Sequence, residues 1–301
     1  MARPATILLM LTLIAGATAG HAAEVTPSEL YAQVVRIEQE IAGLKRHFGV
    51  VGEARVEPKS GDLKPRHAWA ECYIILLKLG KLRRHLGLTY IEPVNIEPLR
   101  DMPPNQPWGM TQRILGEIAI LKFYLDIPGD SPAAQPVTGK RPIDAYNRLQ
   151  QVSAELELLT SPVTPSEVYG EVKRLNADVN ALLRHLRIFE RAMPPPRREN
   201  LQPRDSLRAV FEVMGEIQRL QRAHSLDTTD FKGFETDDKT VPGDVFGLVA
   251  FTLAELQRVK AQIGMTHAIT APAVYEENKS PADVVQLLGY IANKLHEIRS
   301  R

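Results

Sequence analysis

A segment near the start of the chain recurs almost unchanged in its middle, and this repeat limits what the chain can fold into. Residues 25–31 read VTPSELY and residues 163–169 read VTPSEVY, at an offset of 138 residues. Anchoring on the proline gives eight units, which begin at Pro27, Pro65, Pro104, Pro142, Pro165, Pro203, Pro242 and Pro281. Successive units start 38 or 39 residues apart, except for a spacing of 23 between the fourth and the fifth. The pattern predicts duplication of a block of four units.

Each unit has the sequence of a helix with a marked start. A proline in the first turn loses only an amide that has no helical partner, and Thr26 and Thr164 precede it as N-caps. Glu29 and Glu167 follow three residues after the cap and complete capping boxes. Counted from the proline, apolar residues recur at plus 3, 7, 10, 14, 17 and 21. This alternation of four-residue and three-residue steps predicts one buried seam per helix, as in bundles and coiled coils.

The predicted fold class is all-α, with eight long helices forming two tandem four-helix bundle-like halves joined by long extended linkers. Linkers of about 15 residues are long enough to run back along a whole helix, so the sequence leaves the helix directions open. Between units four and five only residues 160–164 remain, and we place the domain boundary there. The expected division is residues 1–23, then 24–161 as the first block and 162–301 as the second.

Residues 1–23 have the pattern of a secretory signal peptide. Arg3 precedes the apolar run at residues 7–14, and small residues follow up to Ala23. The expected location is therefore periplasmic or secreted, with no transmembrane segment in the mature chain. Without Arg3, 36 basic residues balance 36 acidic ones, which argues against nucleic acid as a partner. Cys72 is the only cysteine, so an internal disulfide is excluded.

Aromatic residues stand four positions after the proline in most units. They are Tyr31, Trp69, Trp108, Tyr146, Tyr169 and Phe246. The first interpretation is packing against a linker or the next helix, and the second is a platform on which a ligand stacks.

Acidic residues stand at plus 13 in most units. They are Glu40, Glu117, Glu155, Asp178, Glu216 and Glu255. Arg36, Arg113 and Arg174 lie one turn earlier on the same face, so ion pairing is the simpler interpretation. The alternative is a set of carboxylates that binds cations or a basic partner.

Histidines near helix ends are the candidates for metal ligands. His47, His85 and His185 fall at plus 20 and His224 at plus 21. A cation in the last turn complements the helix dipole, which accounts for them without a metal. The expectation is no metal and no cofactor.

No catalytic motif with a recognisable nucleophile, phosphate-binding glycine loop or metal-ligand spacing occurs in the sequence, which disfavours an enzyme. The leading hypothesis is an exported helical-repeat scaffold or binding protein that acts through repeated helix faces or linker grooves. Its partner would be another envelope or secreted protein or a polymer. The alternative is a periplasmic helical bundle that binds a small ligand or a metal.

Overall fold

The structure, a computed structural model, describes residues 25–89, 97, 99–129, 133–234 and 239–298. Within this part the chain is all-helical and has no strand, which confirms the predicted fold class. The helices are α1 (Pro27–His47), α2 (Pro65–His85), α3 (Asn105–Tyr124), α4 (Pro142–Glu157), α5 (Pro165–His185), α6 (Pro203–Ala223), α7 (Pro242–Gln262) and α8 (Pro281–Glu297). A 3₁₀ turn, Lys232–Phe234, lies between α6 and α7.

The helix starts follow the capping chemistry of the sequence. In α1 the Thr26 amide donates to Glu29 Oε2 at 2.7 Å, and the Glu29 amide donates to Thr26 Oγ1 at 3.2 Å. The helix α3 begins one residue later than its proline because Pro104 takes the N-cap position. Helices α4 and α8 are shorter than the others, with 16 and 17 residues.

The four helices of each half run parallel. In the second half the first residues of all four helices surround one point, where Pro165, Pro203, Pro242 and Pro281 come together. In the first half the start of α4 meets the start of α1, since the Lys140 amide donates to Ser28 Oγ at 3.1 Å. The long linkers therefore return the chain along the bundle each time, as their length allows.

The two halves pack against each other antiparallel. Arg66, at the start of α2, contacts Glu255 late in α7, whereas Lys81 near the end of α2 lies 2.9 Å from Glu167 at the start of α5. The connection between α4 and α5 is short, so α5 turns back along the first half. The largest contact between the halves is that of α2 with α7.

The apolar seam residues of both halves form one continuous buried cluster, except for most of those at plus 21, where Phe48 is exposed. In α1 the side chains of Val34, Ile37 and Leu44 are fully buried, as the sequence pattern predicts. The predicted boundary at residue 162 falls in the connection between α4 and α5, and independent folding of the blocks stays a prediction. The predicted signal peptide, residues 1–23, lies outside the described residues. None of the described helices combines the length and apolarity that crossing a bilayer requires.

Candidate functional site: two grooves and the junction of the halves

The plus 13 acids form ion pairs or hydrogen bonds between neighbouring helices. Lys122 Nζ of α3 lies 3.0 Å from Glu40 Oε2 of α1. Lys260 Nζ of α7 lies 2.9 Å from Asp178 Oδ1 of α5. The same arrangement joins Glu155 to Lys45 and Glu117 to Arg83. Each of these bases stands at plus 18 of its unit, one turn beyond the acid, which suits a parallel bundle.

The partners differ in part from those proposed from the sequence. Arg174 bonds to Glu171 at 2.8 Å and to the Tyr73 hydroxyl, although it also stands one turn before Asp178. Glu216 lies 2.8 Å from Arg219 of its own helix and 3.3 Å from His296 of α8. Because the acids are distributed around the bundles, each with its own donors, they do not form one carboxylate ring.

Glu255 is the plus 13 acid that faces the other half. Its Oε1 accepts hydrogen bonds from Arg66 Nε at 2.6 Å and His67 Nε2 at 2.8 Å, both in α2. Its Oε2 accepts from Gln221 Nε2 at 2.6 Å and lies 3.4 Å from Arg258 Nη1. We call Arg66, His67, Glu255 and Arg258 the junction cluster.

The protonation states of the junction cluster follow from burial and these bonds. Burial alone would raise the pKa of Glu255, but hydrogen bonds from His67 and Arg66 and the charge of Arg66 outweigh it and lower this pKa well below the usual range. Burial lowers the pKa of His67, and the hydrogen bond that His67 donates to Glu255 only partly opposes the shift. The cluster is thus an ionised carboxylate with two arginines and a neutral imidazole.

A cavity of about 700 Å³ lies between the halves, beside the junction cluster. We call it the first groove. Its floor consists of α2 and α4, the linker at residues 55–59 crosses it, and α7 forms the opposite wall. The polar lining includes Glu71 of α2 with Gln150 and Ser153 of α4, and the aromatic lining includes Tyr146 of α4 and Phe251 of α7.

Three polar residues of the first groove, Glu71, Lys78 and Ser153, are buried. Burial raises the pKa of Glu71, and Lys78 and a hydrogen bond with Ser153 partly offset this effect. Lys78 Nζ donates to Ser153 Oγ at 3.0 Å and to Glu157 Oε2 at 2.8 Å. The Oε1 atom of Gln150 is buried and has no hydrogen-bond partner among the described residues. The lining of the groove therefore includes an unpaired amide oxygen and a buried carboxyl group.

A second groove, of about 550 Å³, lies between α6 and α8 under the linker at residues 195–198. It corresponds to the first groove through the repeat, because linker and helix positions match at offsets of 138 and 139. The matched pairs are Glu57 with Pro195, Pro58 with Pro196, Glu71 with Ala209, Ile74 with Glu212, Tyr146 with Val285, Gln150 with Gly289, Ser153 with Ala292 and Ala154 with Asn293. In the second groove, all the lining residues that the structure describes belong to the second half.

The fourth helix of each half binds the backbone of the crossing linker. Asn147 of α4 donates to the Lys59 carbonyl at 3.1 Å and accepts from the Lys59 amide at 2.9 Å. In the second half Gln286 donates to the Pro195 carbonyl at 3.0 Å, and Asn293 donates to the Met193 carbonyl at 3.2 Å. Both grooves thus hold an extended polypeptide by side-chain amides.

The plus 4 aromatics occupy packing positions. Trp69, Tyr146 and Phe246 are buried, and the ring of Trp69 stacks on Tyr73 at 5.9 Å. Tyr31, Trp108 and Tyr169 are partly buried. Lys140 lies 4.5 Å from the ring centre of Tyr31, and Lys279 lies 4.6 Å from that of Tyr169. Only Tyr146 and Phe246 also line the first groove.

The four candidate histidines lie at the C-terminal ends of helices and form two pairs, one in each half. His47 and His85 end α1 and α2, and His185 and His224 end α5 and α6. Because the halves are antiparallel, the two pairs lie at opposite ends of the molecule. In the part of the chain that the structure describes, no three His, Cys, Asp or Glu side chains are grouped so as to hold a metal ion.

Sequence reasoning missed the junction cluster and the plus 18 bases. The bases had a visible signal, since Lys45, Arg83, Lys122 and Lys260 recur at one register. His67 also had a signal, because it occupies the capping position that an acid holds in most units. That these residues meet Glu255 across the two halves could not be read from periodicity.

Comparison of the chain with models of protein families, with curated proteins and with solved structures found no match.

Proposed function

We propose that this chain is an exported binding protein that holds extended segments of a partner protein in its two equivalent grooves. The observation that carries the proposal is that two cavities, of about 700 and 550 Å³, occupy matching positions in the two halves. A duplicated binding surface allows one partner to engage twice, which raises the overall affinity without new contacts.

The chemistry of the grooves favours polypeptide as the ligand. Side-chain amides on α4 and α8 already bind carbonyl groups of extended linkers. A partner segment beside the linker would find further donors and acceptors, since Arg208, Glu212 and Asn293 are exposed along the second groove. Small side chains at Ala209 and Ala292 leave room for a backbone to approach.

Cross-linking tests the proposal in the full-length exported protein. A photoreactive residue at Glu212 should capture the partner, whereas the same residue at Arg222, exposed on the same helix but outside the groove, should not. Filling the second groove with Ala292→Trp, or the first with Gln150→Trp, should weaken binding by at least about tenfold when the partner spans both grooves. Equal capture at both positions, or unchanged affinity in both variants, would contradict the proposal.

Export is part of the same proposal and has its own test. The sequence pattern predicts that the mature protein begins at Ala23 or Glu24. N-terminal sequencing of the protein from the envelope fraction should find one of these residues, and an intact Met1 would contradict export by cleavage.

A small ligand in the first groove is the second candidate function. The supporting observation is that Gln150, with its buried and unpaired Oε1, and Glu71, with its buried carboxyl group, line the same groove. Native mass spectrometry of the full-length protein should then detect a bound molecule that the Gln150→Leu variant loses. Identical masses for ligand-stripped and freshly purified protein would reject this candidate.

A further inference from the structure

We propose that His67 is a pH-sensitive contact between the two halves, and that its protonation in mildly acidic conditions loosens the packing of α2 on α7. This regulation does not depend on the identity of any ligand. It rests on the position of one imidazole, on the charges around it, and on its replacement by a carboxylate in the second half.

Both ring nitrogens of His67 are used in the neutral state. Nδ1 accepts a hydrogen bond from the Lys64 amide at 2.9 Å, and the proton on Nε2 is donated to Glu255 Oε1 at 2.8 Å. The first bond caps the start of α2 and the second joins this start to α7. Phe231 and Phe251 pack edge-on against the ring at 5.5 and 5.3 Å, and the imidazole is fully buried.

A second proton on His67 has no acceptor in this arrangement. It would have to reside on Nδ1, where it would point at the Lys64 amide proton, so the capping bond would be lost. The added positive charge would lie beside Arg66 of the same helix and Arg258 of α7. To relieve this repulsion, the imidazole ring must move away from the Lys64 amide, and the start of α2 must move with the ring.

The groups around His67 come from four parts of the chain. Helix α7 contributes Glu255 and Arg258, and α2 itself contributes Arg66. The segment after α6 contributes Thr229, which lies 3.3 Å from Glu255, and Asp227, which pairs with Arg258. The linker between α2 and α3 contributes Asp101, at 3.9 Å from Arg258. Glu255 is already shared by two arginines, which leaves little negative charge to stabilise a third cation.

The sign of the pH effect follows from the depressed pKa of His67. In the unfolded chain the imidazole protonates around its ordinary value of 6.5, whereas burial keeps it neutral in the folded protein. Its contribution to stability is therefore complete above that value and is lost as the pH falls below it. Glu255 remains ionised throughout this window because its own pKa is lowered.

The position of His67 in the repeat supports a special role. The corresponding residue in the second half is Asp205, whose carboxylate accepts from the Gln202 amide at 2.8 Å. The other capping acids, such as Glu29 and Asp244, make the same bond. Only at the start of α2, among the described helices, is this bond made by a group that also contacts the other half and whose ordinary pKa lies near neutral pH.

Hydrogen exchange on the full chain tests the proposal. After correction for intrinsic rates, segments 64–70 and 248–258 should exchange at least about tenfold faster at about pH 5 than at about pH 7, since one pKa unit corresponds to a tenfold change in an equilibrium constant. The start of α6 around Asp205 should show no such change. In His67→Gln, which keeps an acceptor and a donor but does not titrate, the acceleration should disappear.

Two further measurements keep the result decisive. The double variant His67→Gln and Asp205→His places a titrating cap away from the junction, so only the start of α6 should respond to acid. If His67→Gln fails to fold, a nuclear magnetic resonance titration of the wild type should show the Lys64 amide shifting together with the His67 ring. The proposal is overturned by a junction that is insensitive to pH, by acceleration that persists in His67→Gln or the double variant, or by a Lys64 amide that does not follow His67.

Discussion

The two halves share one design and differ where they meet. The capping residue of the second helix is His67 in the first half and Asp205 in the second, and both accept a bond from the preceding amide. The plus 13 acid of the third helix is Glu117 in the first half, paired with Arg83, whereas Glu255 in the second half joins a larger cluster. The comparison teaches that one ion pair within the bundle recurs, Glu40 with Lys122 and Asp178 with Lys260, whereas positions that face the other half changed.

The grooves differ in the same way. Glu71 and Tyr146 in the first groove correspond to Ala209 and Val285 in the second. The larger side chains occur where α7 supplies an opposite wall, and the smaller ones where the described lining comes from one half. Burial against the other half therefore explains which positions became larger and more aromatic.

Separating the halves should produce the largest effect. Residues 163–301 expressed alone should fold cooperatively but melt by about 10 °C or more below the full chain, because α7 loses its contact with α2 and each lost kcal/mol lowers the melting temperature by several degrees. Circular dichroism melting measures this. A fragment without a cooperative transition would show that the halves are one interlocked unit, and equal melting temperatures would show that the junction contributes nothing.

Replacing the junction acid should produce the next largest effect. Glu255→Gln leaves Arg66 buried with weaker compensation, so we expect a loss of about 3–5 kcal/mol in the free energy of unfolding. The matched change Glu117→Gln removes the ionic partner of Arg83 alone and should lower the free energy of unfolding by about 1–3 kcal/mol. Chemical denaturation at neutral pH measures both.

The pH dependence sharpens this test. Folding lowers the pKa of Glu255 from its ordinary value of 4.5. The stability that the ionised Glu255 contributes is therefore present above pH 4.5 and is lost as the pH falls below this value. The cost of Glu255→Gln should therefore shrink in acid. Equal costs for the two variants at neutral pH would remove the distinction between the halves.

Two glycines of the second half should produce the smallest effects, with opposite signs. A Cβ atom on Gly289 would lie 2.9 Å from Pro195 Cγ in the crossing linker, so Gly289→Ala should destabilise by about 1–3 kcal/mol. Gly215 is exposed in α6, and a Cβ atom added there would have no neighbour within 4 Å. Gly215→Ala should therefore raise the free energy of unfolding by about 0.5–1 kcal/mol. A neutral result at Gly289 would show that the linker is not held closely against α8.

Part of the candidate site was within reach of the sequence. The plus 13 acids and plus 4 aromatics were found by their register, because a repeated helix places equal positions on equal faces. The positions of the grooves were not found, since each combines a linker with helices that are not consecutive in the chain. The junction cluster was missed for a related reason, because Arg66 and Glu255 are 189 residues apart.

The sequence by itself determined the helices, their starts and their buried seams. Local chemistry decides these features, since proline, the capping residues and the apolar spacing act within a few turns. Only the tertiary structure decided the helix directions and the contact of α2 with α7. Linkers of this length permit either direction, and a seam records which face is buried without recording what covers it. The side chains that settle these choices, such as Lys122 on Glu40 and Arg66 on Glu255, act between helices far apart in the chain.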